Sequence, residues 1–220
     1  MSNKRILCFG DSLTWGWVPT PDGAPTTRYP FEQRWTGAMA AMLGDGFEIV
    51  EEGLSARTTN VDDPVDPRLN GSKHLPSALA SHFPLDLVII MLGTNDSKSY
   101  FRRTPYEIAN GLSQLVGQTL TSAGGVGTVY GAPQVLVVAP PPLGELKHPW
   151  FEGMFDGGHE KTAALAHHYA ALASFFGVGF LDAGQVISTD GCDGIHFTVQ
   201  NNLELGAAVG RKVTEMFARD

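Results

Sequence analysis

Eight consecutive residues, Leu85-Asp86-Leu87-Val88-Ile89-Ile90-Met91-Leu92, restrict the fold of this chain more than any others. A strand with one wet face alternates apolar and polar side chains, whereas this run is apolar almost throughout. It is bounded by Pro84 and Gly93, as a strand buried on both faces of a parallel sheet would be. Parallel neighbours need helical crossovers, and the rest of the chain supplies them. Strand character recurs at Arg5 to Phe9, Phe47 to Glu51, Gln134 to Ala139 and Val178 to Asp182. Helical spacing is found between them, at Glu32 to Leu43 with Gly44 as its stop, at Leu75 to His82 and at His159 to Phe176. Thr104-Pro105-Tyr106-Glu107 opens a further helix with a capping threonine, proline at the first position and glutamate at the third. Thr198 caps the last one, whose Leu205, Val209, Val213 and Met216 face inward. The order is β-α-β-α throughout, without repeats or linkers. It predicts one three-layer α/β/α domain over residues 1–220, with a five-stranded parallel sheet.

Open α/β sheets place their active sites beyond the carboxyl ends of the strands, so the residues that follow each strand carry the functional expectation. The first strand stops at Gly10-Asp11-Ser12, the central one at Gly93-Thr94-Asn95-Asp96. Near the other end of the chain, Asp193-Gly194-Ile195-His196 offers a carboxylate and an imidazole three residues apart. A serine nucleophile needs a base, and the base needs an acceptor to hold its tautomer. Ser12, His196 and Asp193 fit those roles, with Asp190 as the rival acceptor.

Four blocks in order, Gly10-Asp11-Ser12-Leu13, Gly53-Leu54-Ser55-Ala56, Gly93-Thr94-Asn95-Asp96 and Asp193-Gly194-Ile195-His196, resemble those of the GDSL or SGNH hydrolases. Gly16-Trp17 and the run Glu51 to Thr59 look most like the bacterial arylesterases that include the mycobacterial acyltransferase. The resemblance implies the flavodoxin-like strand order and an oxyanion hole made by the backbone N–H groups of Ser12 and Ala56 and the Asn95 amide. It also implies short-chain acyl esters and alcohols as small-molecule partners, acyl transfer and perhydrolysis beside hydrolysis, and a homo-oligomer, an octamer among the candidates. The family commonly has glycine where Ala56 stands. An alanine keeps the N–H, so its φ is expected to be negative, and Gly53 is expected to serve turn geometry. Asp11 is expected to brace the turn. Carbohydrate acetylesterase and lysophospholipase or thioesterase activity are the enzymatic alternatives, and a binding module on the same scaffold is the non-enzymatic one.

Three irregular stretches frame the expected site: Leu13 to Pro30, Ser55 to Lys73 and Leu143 to Gly158. Leu13, Trp15, Trp17, Phe151, Phe155 and Ile195 are the candidates for an apolar pocket, with Trp15 and Trp17 keeping its mouth dry. A formal charge of −8 disfavours nucleic acid and anionic membranes, which need clustered Lys and Arg. The chain runs from Met1 into its first strand without a signal-peptide pattern, and no apolar stretch approaches membrane-spanning length. A cytoplasmic protein is therefore expected, with Cys8 and Cys192 reduced. The seven histidines lack metal-ligand spacing, so neither a metal nor another cofactor is expected.

Overall fold

The computed structural model describes residues 3–218, so the reading of the amino terminus at Met1 lies outside it. Five strands, β1 (Lys4–Gly10), β2 (Phe47–Gly53), β3 (Leu87–Met91), β4 (Gln134–Ala139) and β5 (Gly179–Asp182), form one sheet. All pairings are parallel and the order is β2-β1-β3-β4-β5, as the family resemblance implies. Among the described residues seven α-helices accompany them: α1 (Ser12–Trp15), α2 (Trp35–Leu43), α3 (Gly71–His82), α4 (Pro105–Leu120), α5 (Pro149–Met154), α6 (Gly158–Phe176) and α7 (Val199–Phe217).

Alternation along the strands divides the core into two layers. Leu7, Phe9, Val88, Ile90, Val135 and Val137 pack with residues of α3, α4 and α6. Their neighbours Ile6, Cys8, Leu87, Ile89, Leu136 and Val138 pack with residues of α2 and α7 on the opposite face. Every residue of β3 is buried, so the longest apolar run of the sequence is the middle of the sheet. Edge strand β2 is only half-buried and carries Glu51 and Glu52, whose carboxylates meet Arg28 and Arg34, and His74 and His82, respectively.

Helix ends follow local chemistry. Thr104 and Glu107 form the expected capping box on α4, and the Thr198 hydroxyl accepts from the Asn201 N–H at the start of α7. Three segments depart from expectation. Helix α3 starts at Gly71 rather than Leu75, because the Asn70 side chain caps it by accepting from the Ser72 N–H. Pro76 lies inside α3 and cannot donate to the Ser72 carbonyl, so Gln118 of α4 donates there instead, at 2.8 Å. The stretch expected as Glu32 to Leu43 divides into a 3-10 turn, Phe31–Gln33, and α2. Arg34 is extended between them, and Asn202 of α7 accepts from the Trp35 N–H. The third irregular stretch contains α5, too short for periodicity to reveal and capped by His148. Both cysteines are free, Cys8 buried and Cys192 exposed. Among the described residues no helix is long and apolar enough to cross a membrane.

Candidate active site

Strand ends bring the candidate residues together. β1 delivers Ser12 to the carboxyl edge of the sheet, where the Asp11 carboxylate accepts from the Leu13 N–H and starts the single-turn helix α1. The turn before α7 carries Asp193 and His196 to the same edge. Asp193 Oδ1 accepts from the N–H groups of Ile195 and His196, which fixes the loop. His196 Nδ1 lies 2.7 Å from Asp193 Oδ2, and its Nε2 lies 2.9 Å from Ser12 Oγ. A carboxylate acceptor holds the ring with hydrogen on Nδ1, which leaves Nε2 as the acceptor for the serine hydroxyl. Burial pushes the Asp193 carboxyl up. The His196 hydrogen bond and charge, with the two backbone N–H groups, outweigh that and hold it below the ordinary carboxylate value. All three residues are buried, and the Trp17 ring stacks on the imidazole with centroids 5.0 Å apart. Asp190 is occupied elsewhere, accepting from the Thr198 N–H and hydroxyl, so it is not the partner of His196.

Ser12, Ala56 and Asn95 line one cavity of about 350 Å³ together with His196. The backbone N–H groups of Ser12 and Ala56 donate to none of the described residues. Asn95 Nδ2 donates to Asp11 Oδ2 and to the Arg57 carbonyl, each at 3.2 Å, long bonds of a kind that a stronger acceptor can redirect. The expectation of negative φ at Ala56 is wrong: its φ is 68°. The Arg57 N–H closes a turn onto the Leu54 carbonyl at 3.0 Å, which makes Ala56 the third residue of that turn. A positive φ at this one central position marks a type II turn, where glycine is favoured. The turn geometry therefore belongs to Ala56. Gly53 is needed instead for clearance, since a Cβ there would stand 2.4 Å from the Trp15 backbone nitrogen.

Pocket candidates divide. Trp17, Phe151, Phe155 and Ile195 line the cavity. Leu13 does not: its side chain is in the core layer with Trp35 and Met39. Trp15 does not either, because its ring lies under the Arg28 guanidinium at 5.4 Å and its carbonyl accepts from Arg28 Nε. The two lips meet: a Cβ on Gly23 would lie 2.0 Å from the Phe151 ring. Lining residues outside those candidates include Lys98, Met154 and Trp150, which belongs to the stretch expected as a second lip. Lys98 had a detectable signal, as it lies three residues after Asn95 on the same strand-end turn.

A polar layer lies beneath the cavity. Asp11 is 1% exposed and braces the turn as expected, but it also anchors Asn95. Burial pushes its carboxyl up to about 7; the Leu13 N–H, Arg57 and Lys98 act against the rise, and Asp96 adds to it. Arg57, its side chain 2% exposed, donates to the Gly10 and Glu52 carbonyls and stacks on Phe9. Burial brings its guanidinium down to about 10, against the pull of Glu52 and Asp11. Among the described residues no group of three or more His, Cys, Asp or Glu side chains is placed to hold a metal ion.

The profile of the GDSL-like lipase/acylhydrolase family matches residues 8–200. A solved structure of Est24, a carbohydrate acetylesterase from Sinorhizobium meliloti, shares 67% identity over 97% of this chain and 100% of its own, with a TM-score of 0.96. The native aryl esterase of M. smegmatis shares 67% identity over 96% of this chain and 99% of its own, with a TM-score of 0.95. A carbohydrate acetylesterase family member from Sinorhizobium meliloti shares 37% over 98% and 99%, with a TM-score of 0.90. No curated protein matches the chain.

Proposed function

This chain belongs to the GDSL-like lipase/acylhydrolase family, and from that premise we propose that it is a serine arylesterase that cleaves short-chain acyl esters through an acyl-enzyme. One observation carries the reading: His196 lies within hydrogen-bonding distance of both Ser12 Oγ and Asp193 Oδ2, at 2.9 and 2.7 Å, beside a largely apolar cavity. Ser12 Oγ attacks the ester carbonyl as His196 Nε2 takes its proton, and Asp193 stabilises the imidazolium. The oxyanion forms against the Ser12 and Ala56 N–H groups and the Asn95 amide, which are held in place before charge develops. His196 then protonates the departing alcohol, and water or a second alcohol, deprotonated in turn by His196, releases the acyl group.

Transfer to alcohols and perhydrolysis with peroxide extend the proposal. Against ~55 M water, an alcohol at ~0.1 M needs about 550-fold preference, or roughly 3.7 kcal/mol. The aromatic wall of Trp17, Phe151 and Phe155 favours an organic acceptor over water in that competition. A second reading, deacetylation of carbohydrates, is favoured by the described activity of the Est24 relative. The test combines fluorophosphonate labelling with a panel of p-nitrophenyl esters and acetylated sugars, each assayed with and without added alcohol. Labelling at Ser12, fastest turnover of short acyl chains and formation of the transfer ester are expected. Absence of both labelling and turnover would instead fit a binding module, and preferential sugar deacetylation would select the second reading.

A further inference from the structure

Among the described residues Lys98 is the one lysine or arginine lining the cavity. The residue is 6% exposed, and its backbone N–H donates to the Asn95 carbonyl, so both side chains spring from one 3-10 turn. Its Nζ stands 6.0 Å from the centroid of Phe155, which also lines the cavity. Nζ donates a hydrogen bond to none of the described residues. The amine is not among the enclosed polar atoms that lack a partner, so Nζ opens onto the cavity, where water or a ligand must accept its hydrogen bonds.

Counter-charge is not what Lys98 lacks. Asp63, Asp11 and Asp96 all act on its ammonium, opposing the downward pull of burial on its pKa. Each of these carboxylates is already engaged. Asp63 accepts from the Val65 and Asp66 N–H groups and the Tyr100 hydroxyl, Asp11 from Leu13 and Asn95, and Asp96 from Thr59 and Arg103. Asp22 stands at the cavity wall as well. An anionic ligand would meet all of this negative charge, whereas a neutral ligand oxygen could take the place of water as acceptor without repulsion. The remaining wall, Trp17, Phe151, Met154, Phe155 and Ile195, suits carbon.

Resting on the esterase reading above, we propose that Lys98 is a specificity residue that donates from Nζ to a neutral ether, hydroxyl or carbonyl oxygen of the ester seated beside Ser12. The site thereby favours oxygen-bearing esters over hydrocarbon esters of the same shape. Two pairs of substrates differ only by oxygen in place of methylene: 2-methoxyethyl acetate with butyl acetate, and ethyl 3-methoxypropanoate with ethyl pentanoate. Competition within each pair gives the ratio of kcat/KM directly, independent of how much protein is folded. A charge-assisted hydrogen bond is expected to favour the ether member of at least one pair about tenfold in the native chain, and Lys98→Met to bring that ratio close to one. The same esters are titrated into a Ser12→Ala variant, with and without Lys98→Met, following tryptophan fluorescence from Trp17 and Trp150. This arm reads the Lys98 contact even if hydrolysis does not depend on Ser12, a result that would remove the esterase reading alone. A ratio within twofold of one in both pairs and in binding overturns the proposal. So does a ratio that Lys98→Met leaves unchanged, or a stronger, Lys98-dependent preference for the carboxylate-bearing monoethyl succinate, which would make the subsite anionic.

Discussion

Asp11→Asn tests the buried charge under the candidate nucleophile. The carboxyl is 1% exposed and is pushed up to about 7 from 3.8, chiefly by burial. Because the folded-state value is the higher, the folded chain binds this proton more tightly than the unfolded chain does. Stability contributed by the group is therefore greatest at low pH, falls as pH rises from about 4 to about 7, and is level above that window. At 1.36 kcal/mol per unit, the folded state should lose about 2.6 kcal/mol from this group between about pH 5 and about pH 8. Asparagine is as good an N-cap as aspartate, so the bond to the Leu13 N–H survives the substitution. Its single oxygen cannot serve both Leu13 and Asn95, but that deficit is independent of pH and cancels when two pH values are compared. Urea unfolding of both proteins at about pH 5 and about pH 8 gives the measurement. The difference in stability should move in favour of the variant by about 2.6 kcal/mol from the lower to the higher pH. A difference constant within about 0.5 kcal/mol would refute the reasoning, since the charge would then be as well solvated in the fold as outside it.

Two further substitutions address the proposed oxyanion donors. Ala56→Gly keeps the N–H and relieves an L-residue of positive φ, worth about 1–2 kcal/mol, against about 0.4–1 kcal/mol of added freedom in the unfolded chain. Urea unfolding should show a gain of about 0.5–1 kcal/mol with turnover retained, and a loss of that size would contradict the type II turn. Asn95→Ala should lower kcat roughly 100- to 1000-fold while thermal unfolding and phosphonate labelling of Ser12 persist. An unchanged kcat on p-nitrophenyl acetate would exclude the amide from the oxyanion hole.

What the sequence discloses and what it hides divide along a physical line. The apolar run of β3, the capping box at Thr104 and Glu107 and the stops at Gly10 and Gly93 are local, and local patterns survive into the fold. Helix α3 is longer than the Leu75 to His82 expected, and its first turn places Pro76 in the helix interior. Only the long-range bond from Gln118 to the Ser72 carbonyl makes that proline tolerable. Leu13 follows Ser12 directly and yet faces the core, since a helical turn directs successive side chains to different sides, and Trp15 is kept from the cavity by its long-range contacts with Arg28. Nor does the sequence disclose the sign of φ at Ala56: the type II turn closed by the Arg57 N–H imposes a positive φ despite the cost to an L-residue.

The two elements that carry the proposed oxyanion donors are held from one point. Ala56 lies on the loop after β2 and Asn95 on the turn after β3, and neither element is hydrogen-bonded to the other by regular structure. Asp96, fully buried, joins them: it accepts from the Thr59 N–H at 2.9 Å and hydroxyl at 2.5 Å, and from Arg103 Nη1 at 2.6 Å. Burial raises this carboxyl, and Thr59 and Arg103 oppose the rise. A carboxylate so deeply buried is tolerable only when its lone pairs are filled from several directions. The same requirement ties the Ala56 loop, the Asn95 turn and the start of α4 to one point. Donors aimed at a developing charge must be held to a fraction of an ångström, and loops alone do not provide that. A buried acid engaged by Thr59 and Arg103 behind the cavity provides it.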